Sequence, residues 1–230
     1  MNLTAARPPV TLATPKAVLF DLDGTLVDTA PDLGYAANLV RAELGQPPLP
    51  IAGYRPVASA GARGLLGMAL QITPEHADFP VRRDRFLELY RANLSRSSKL
   101  FDGMDTLFDA MNACDARWGV VTNKPAWLTT PLLAALKLDM RAACAVSADQ
   151  VARAKPAPDS LLHACELLQL SPQECWYVGD DKRDITAGRA AGMLAIAADW
   201  GYLGADGPIE SWGADHIARS PQELADWLRP

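Results

Sequence analysis

The stretch VLFDLDGTLVDT, residues 18–29, is the most informative part of this sequence. An apolar run ends in Asp21 and Asp23, and Gly24 follows directly. Alternate side chains of a strand point to the same side, so both carboxylates start on one side, and the glycine permits a sharp turn after them. Two carboxylates this close repel each other unless a cation lies between them. The pattern therefore predicts metal-assisted chemistry at the end of a strand.

Several apolar runs along the rest of the chain are typical of buried strands. They alternate with stretches of helical periodicity, which indicates an α/β fold with a parallel sheet covered by helices on both faces. The predicted strands are residues 17–22, 118–122, 143–147, 176–179 and 194–198, and the predicted helices are residues 104–114, 126–136, 159–168, 183–191 and 221–228.

Residues 30–99 interrupt this alternation. They contain no convincing strand, but they have helical patterns at residues 32–44, 62–70 and 75–94, separated by joints rich in Gly and Pro. An insertion after the first strand lies over the crevice where open α/β sheets bind ligands, so it could act as a lid. We therefore expect an N-terminal extension (1–15), a catalytic core (16–29 and 100–230) and a helical cap (30–99).

Composition narrows the possible partners and locations. The net charge of −5 argues weakly against nucleic acid, which requires clustered Lys and Arg. No apolar run approaches the roughly 18 residues that span a bilayer, and the first residues lack the apolar segment of a signal peptide. Four cysteines without a CxxC pair are typical of reduced thiols. We expect a cytoplasmic protein without nucleic-acid or membrane partners; its oligomeric state, monomer or dimer, stays open.

Polar motifs follow four of the predicted elements. Each has a plain structural explanation: helix capping for Asp181 and Asp184, turn formation for Thr122 and Asn123, and a solvated side chain for Lys155. Together they fall at one edge of one sheet, which favours a single chemical site. The motifs are DLDGT at 21–25, TNK at 122–124, KPAP at 155–158 and GDDKRD at 179–184.

In order and spacing, these motifs resemble those of the haloacid dehalogenase superfamily of phosphohydrolases. The resemblance extends along nearly the whole chain, and the helical insertion is similar to the cap of that family. It implies a Rossmann-like, doubly wound parallel sheet with an inserted α-helical cap domain. Within the superfamily the chain resembles phosphoglycolate phosphatases, in a branch that includes N-acetylmuramic acid 6-phosphate phosphatases. The segments that carry this finer resemblance are residues 59–63, 98–103, 118–125 and 212–215.

The resemblance also implies roles for the aspartates. Asp21 is expected to be the nucleophile that forms an aspartyl-phosphate, and Asp23 the general acid that later serves as general base. Mg²⁺ is expected on Asp21, the backbone carbonyl of Asp23 and Asp180, because this metal prefers oxygen ligands. Asp184 is expected to contact the metal ligands or Lys155 and hold them in position without binding the metal itself.

Substrate binding is expected to involve several polar side chains. Thr122 is expected to bind phosphoryl oxygens, and Lys155 to neutralise charge that shifts during phosphoryl transfer. Asn123, Lys124 and Arg63 are further candidates for contacts with the substrate; for Arg63, a solvated surface position is as good an interpretation.

Three other readings compete with the phosphatase. A phosphosugar mutase would use the same aspartate pair. A dehalogenase would not carry an acidic residue at the position of Asp23. A signalling receiver domain has its paired acids on the first strand, its phosphorylated aspartate later in the chain, and no large insertion. We therefore expect a Mg²⁺-dependent phosphatase for a small phosphorylated metabolite, with 2-phosphoglycolate as first candidate and N-acetylmuramic acid 6-phosphate or another sugar phosphate as the alternative.

Overall fold

The structure is a computed structural model that describes residues 12–228. Most of the predicted N-terminal extension (1–15) therefore lies outside the described residues. The strands are β1 (Ala17–Phe20), β2 (Val27–Asp28), β3 (Lys99–Leu100), β4 (Arg117–Thr122), β5 (Cys144–Ser147), β6 (Cys175–Gly179), β7 (Leu194–Ala198) and β8 (His216–Ala218). The α-helices are α1 (Ala30–Glu43), α2 (Gly61–Leu70), α3 (Phe79–Ala92), α4 (Met104–Ala113), α5 (Ala126–Ala135), α6 (Asp159–Leu168), α7 (Lys182–Ala191) and α8 (Pro221–Trp227).

Six of the strands form one parallel sheet in the order β5-β4-β1-β6-β7-β8. β1 lies between β4 and β6, and its last residue, Phe20, is in register with Val120 and Val178. The chain builds one half of the sheet outward from β1 and then returns to build the other half. This reversal places a ligand-binding crevice at the carboxyl end of β1. The predicted doubly wound α/β fold is confirmed.

The sheet is covered on both faces because its side chains alternate between two apolar clusters. Val18 and Phe20 belong to the cluster beneath α4 and α8, where Phe108 and Trp118 stack with their ring centres 4.6 Å apart. Leu19 points to the opposite cluster, beneath α6 and α7. All four residues of β1 are fully buried, which fixes the strand that carries the DLDGT motif.

Residues 30–98, called the insertion below, connect β2 to β3. The insertion contains α1, α2, α3 and a 3₁₀-helix at Ile51–Ala60, which pack around a further apolar cluster that also includes Leu128 and Tyr202. β2 and β3 pair antiparallel, with Val27 opposite Leu100, so the chain leaves and re-enters the core at adjacent points. The domain boundaries proposed from sequence stay a prediction.

Several local features differ from the sequence expectations. The pairing strands β2 and β3 have two residues each, too few for a recognisable pattern, and β8 was also not predicted. The helix predicted over 75–94 begins only at Phe79, with Pro80 in its first turn, because residues 74–78 form turns. Within residues 12–228, no helix is both long and apolar enough to cross a bilayer.

Candidate active site

A cavity of about 360 Å³ lies at the carboxyl ends of the central strands. Its floor includes Asp21 after β1, Thr122 at the end of β4 and Lys155 from the loop before α6. Its roof comes from the insertion, including the 3₁₀-helix and α3. The parallel sheet therefore brings together motifs that are far apart in sequence, and the insertion closes over them.

Lys155 is the electrostatic centre of the floor. Its Nζ donates hydrogen bonds to Asp21 Oδ1 (2.8 Å), Asp184 Oδ1 (2.7 Å), the Tyr177 hydroxyl (2.7 Å) and the Val121 carbonyl (3.0 Å). Burial opposes the charged form of this lysine, but the carboxylates of Asp184 and Asp21 more than offset that effect and raise its pKa. The ammonium group therefore stays charged and holds one oxygen of Asp21 in place.

Asp180 lies at the end of β6 and is fully buried. Its Oδ1 accepts a hydrogen bond from the Thr25 hydroxyl (2.7 Å), and its Oδ2 accepts from the backbone N–H of Tyr202 (2.9 Å) and from the Ser59 hydroxyl (3.1 Å). Close packing requires glycine beside it: a Cβ on Gly201 would lie 2.1 Å from the Asp180 Cβ. The carboxylate is thus fixed by contacts from both the core and the insertion.

Three carboxylates converge at the carboxyl ends of the strands. Asp21, Asp180 and Asp184 each offer an oxygen, and these oxygens lie within 4.8 Å of one another. Burial, followed by the charges of Asp21 and Asp184, raises the pKa of Asp180 to about 8. Burial raises the pKa of Asp21 to about 6, although Lys155 opposes this shift. A buried, mutually repelling set of hard oxygen donors fits a divalent cation such as Mg²⁺.

Asp23 has different partners from Asp21. Both of its carboxylate oxygens accept hydrogen bonds from Lys124 Nζ, at 2.7 and 2.8 Å, and Oδ1 also accepts from the Thr29 hydroxyl at 2.5 Å. Burial disfavours the charged form of Lys124, but the Asp23 carboxylate more than offsets this and raises the pKa of Lys124. The two aspartates of the motif therefore have separate cations and separate surroundings.

The predicted substrate-binding side chains differ in whether they line the cavity. Thr122 lines the cavity, and its hydroxyl accepts a hydrogen bond from the Lys124 backbone (3.1 Å). The Asn123 amide exchanges two 3.0 Å hydrogen bonds with the backbone of Lys155, so it positions the loop that presents this lysine. Arg63 is exposed and is not among the residues that line the cavity. The structure thus does not bring Arg63 into the site.

Asp184 has more contacts than its predicted supporting role requires. Asp184 was expected behind the metal ligands, yet the structure places its carboxylate among the three converging ones as well as on Lys155. It also completes a capping box at the start of α7, where Asp181 is the N-cap. The carboxylates of the GDDKRD motif therefore both start the helix and face the site.

Sequence reasoning missed the bridge between the core and the insertion. Arg183 Nη2 donates to the Ser59 carbonyl of the insertion (2.7 Å) and to Asp181 Oδ2 (2.8 Å). Arg183 lies inside the quoted motif GDDKRD, so its position near the site was readable, but its partner across the cavity was not. Tyr90, which also lines the cavity, follows Phe86 by one helical turn and has the spacing of a core residue.

Comparison with protein families identifies the fold and its chemistry. A family model described as haloacid dehalogenase-like hydrolase matches residues 15–192. The chain belongs to this family. The matched region includes all four motifs that surround the cavity.

Curated relatives and solved structures agree with this assignment. A phosphoglycolate phosphatase of Xanthomonas campestris pv. campestris is 42% identical over 223 residues, covering 94% of this chain and 99% of the relative. An N-acetylmuramic acid 6-phosphate phosphatase of Pseudomonas putida is 41% identical over 209 residues, covering 91% and 94%. The crystal structure described as a predicted phosphoglycolate phosphatase from Haemophilus somnus superposes with a TM-score of 0.79 at 27% identity, covering 94% and 98%. The prediction of a phosphatase of this family is confirmed.

Proposed function

We propose that this hydrolase is a Mg²⁺-dependent phosphomonoesterase that acts on a small phosphorylated metabolite through an aspartyl-phosphate on Asp21. One observation carries the proposal: Asp21 borders the cavity, Lys155 holds its Oδ1, and the carboxylates of Asp180 and Asp184 converge beside it. A carboxylate that is already ionised needs no base before it attacks phosphorus. With Oδ1 held by the lysine, Oδ2 is the attacking oxygen.

Asp23 supplies the proton transfers. As a protonated acid it delivers a proton to the leaving oxygen, and as a carboxylate it then activates the water that hydrolyses the aspartyl-phosphate. Its bonds to Lys124 and Thr29 fix the orientation of the side chain beside the cavity.

The residues that would hold the metal are Asp21 and Asp180, whose carboxylates converge with that of Asp184. The backbone carbonyl of Asp23 is the third proposed ligand. When bound there, Mg²⁺ offsets the repulsion between the attacking carboxylate and the phosphate dianion. Lys155 and the Thr122 hydroxyl stabilise charge on the equatorial oxygens of the transferred group. These roles are supported by the cavity, which Asp21, Thr122 and Lys155 line, and by the convergence of the Asp180 carboxylate with that of Asp21.

The first candidate substrate is 2-phosphoglycolate, which is supported by the names of several relatives at about 40% identity over most of the chain. The alternative, N-acetylmuramic acid 6-phosphate, is supported by relatives of similar identity. We propose that the insertion is the cap that chooses between such substrates, since it provides the roof of the cavity. A cytoplasmic location is part of the proposal.

A substrate panel tests this function. Purified protein in Mg²⁺ should release inorganic phosphate from 2-phosphoglycolate, from N-acetylmuramic acid 6-phosphate or from both, and kcat/KM ranks them. Asp21→Asn should reduce kcat by at least roughly a thousandfold, because removing a covalent nucleophile removes the whole pathway. The matched control is Asp102→Asn, which changes a fully exposed carboxylate of the core. Phosphate release by Asp21→Asn at the rate of the control would refute the nucleophile.

A further inference from the structure

Tyr90 presents a polar group with no partner at the edge of the active site. Its side chain is 1% exposed, and among the described residues its hydroxyl oxygen has no hydrogen-bond partner. The ring stacks on Phe86 within the insertion, with the ring planes 3° from parallel, so the side chain is held firmly. Burying a hydroxyl without a hydrogen bond costs stability, and such a group in a native protein calls for an explanation.

The surroundings of Tyr90 connect it to the proton-transfer residues. It lines the cavity, and Lys124 Nζ lies 4.7 Å from the centre of its ring. Lys124 in turn holds both carboxylate oxygens of Asp23. Burial raises the pKa of the Tyr90 hydroxyl to about 12; the nearby Lys124 ammonium opposes this shift, and the Asp23 carboxylate adds to it. The hydroxyl therefore keeps its proton at neutral pH and is available as a donor.

The chemistry of Asp23 fixes where the leaving group lies. The ester oxygen of the substrate must lie close to Asp23 to receive its proton. The leaving group, which is attached to that oxygen, therefore lies beside the residues that surround Asp23. Tyr90 on the insertion side and Lys124 on the core side are its neighbours there. The rest of the roof is apolar or small, with Leu87 and Ala62 as examples.

We propose that Tyr90 is a specificity-determining residue whose hydroxyl donates a hydrogen bond to an oxygen on the leaving group, a carboxylate or hydroxyl oxygen near the ester carbon. The inference rests on the proposed function and refines it to substrate class. It favours phosphomonoesters of hydroxy acids and sugars over simple alkyl phosphates. An unmade bond to a buried polar group is costly, so a substrate without this oxygen is discriminated against.

A pair of substrates and a pair of variants test the inference. Ethyl phosphate has the skeleton of 2-phosphoglycolate with a methyl group in place of the carboxylate. The measured quantity is selectivity, the kcat/KM of the better of 2-phosphoglycolate and N-acetylmuramic acid 6-phosphate divided by that of ethyl phosphate. Tyr90→Phe removes only the hydroxyl and should lower selectivity roughly 10- to 100-fold, the range for one hydrogen bond to a polar or charged oxygen.

Tyr54→Phe is the matched control. Tyr54 is a buried tyrosine of the insertion whose hydroxyl donates to Asn38 Oδ1 at 2.9 Å, and it does not line the cavity. This variant should keep the selectivity of the wild type and should melt at a lower temperature, since it loses a made hydrogen bond. Tyr90→Phe should melt at the same temperature as the wild type or higher, because no made bond is lost.

The outcomes separate this inference from the proposed function. Equal losses on both substrates in Tyr90→Phe would assign the hydroxyl to the Lys124–Asp23 pair and overturn the inference, as would unchanged selectivity. A wild type that hydrolyses ethyl phosphate as efficiently as the oxygenated substrates also overturns it and leaves the phosphatase intact. A wild type that releases phosphate from no ester overturns the proposed function, and the inference falls with it.

Discussion

Replacing Asp180 by Asn should make the metal-free protein more stable while abolishing its metal-dependent turnover. Asp180 is fully buried, and burial together with Asp21 and Asp184 raises its pKa from 3.8 to about 8. A folded-state pKa above the unfolded one means that the folded state binds the proton more tightly. Without metal, the stability of the wild type therefore falls as pH rises from about 4 to about 8.

The size of the effect follows from the pKa difference. Relative to a pH at which Asp180 is protonated in both states, a pKa shift of about 4 units lowers the stability of the wild type by about 5 kcal/mol at pH 8 and by about 2 kcal/mol at pH 5. Asparagine avoids this cost and can still accept the hydrogen bond from Thr25. The amide nitrogen cannot accept from the backbone N–H of Tyr202, which costs about 1 kcal/mol, whereas the Ser59 hydroxyl can rotate and accept a hydrogen bond from it. In EDTA, Asp180→Asn should therefore exceed the wild type by about 4 kcal/mol at pH 8 and about 1 kcal/mol at pH 5.

Urea denaturation in EDTA between pH 5 and pH 8 measures this difference. Subtracting wild type from variant at each pH cancels the titration of the carboxyl groups that are remote from Asp180. Asp102→Asn, at an exposed carboxylate, is the control and should show no pH-dependent difference. A difference between Asp180→Asn and wild type that stays constant or shrinks as pH rises would refute the reasoning. Added Mg²⁺ should stabilise the wild type at pH 8 and have little effect on the variant.

Three further predictions concern the metal, the central lysine and the bridge to the insertion. EDTA should stop phosphate release and excess Mg²⁺ should restore it; turnover that is indifferent to the chelator contradicts the metal role. Lys155→Met should lower the free energy of unfolding, measured by urea denaturation, by about 3–5 kcal/mol, because it leaves buried carboxylates unpaired. The control Lys99→Met removes an exposed lysine and should change the free energy of unfolding little. Arg183→Gln should speed amide hydrogen exchange in residues 58–63 by removing the bond to the insertion. Its control is Arg189→Gln on the same helix, whose partner is the Gly213 carbonyl of the core, and equal exchange in both variants would argue against the bridge.

The fold was largely predictable because its central strands are buried on both faces. Such strands are continuous apolar runs, and the predicted range 194–198 matches β7 at both ends. The 3₁₀-helix at Ile51–Ala60 was missed because Gly53 and Pro56 interrupt any helical pattern. The pairs of residues in β2 and β3 are too short to carry a pattern, so the way the insertion joins the core could not be read.

The site was predictable where chemistry depends on strand ends, and unpredictable where it depends on contacts across the cavity. The motifs around Asp21 and Asp180 follow adjacent strands, so their convergence follows from the sheet. The ion pair of Lys124 with Asp23 joins two residues about a hundred positions apart in the sequence, and no local sequence pattern predicts such a contact. Arg63 illustrates the reverse: its type and place were suggestive, but the helix it lies on turns it toward solvent.

The antiparallel pairing of β2 and β3 makes the insertion exchangeable as a unit. Val27 and Leu100 lie opposite each other, so the two junctions are separated by about the 5 Å between paired strands. All six strands of the large sheet lie outside residues 30–98, so a segment that begins and ends at this ribbon leaves their sequences intact. A foreign insertion grafted at these two junctions would therefore keep the motifs of the core, but it would have to supply its own partners for Asp180 and Arg183 in place of Ser59.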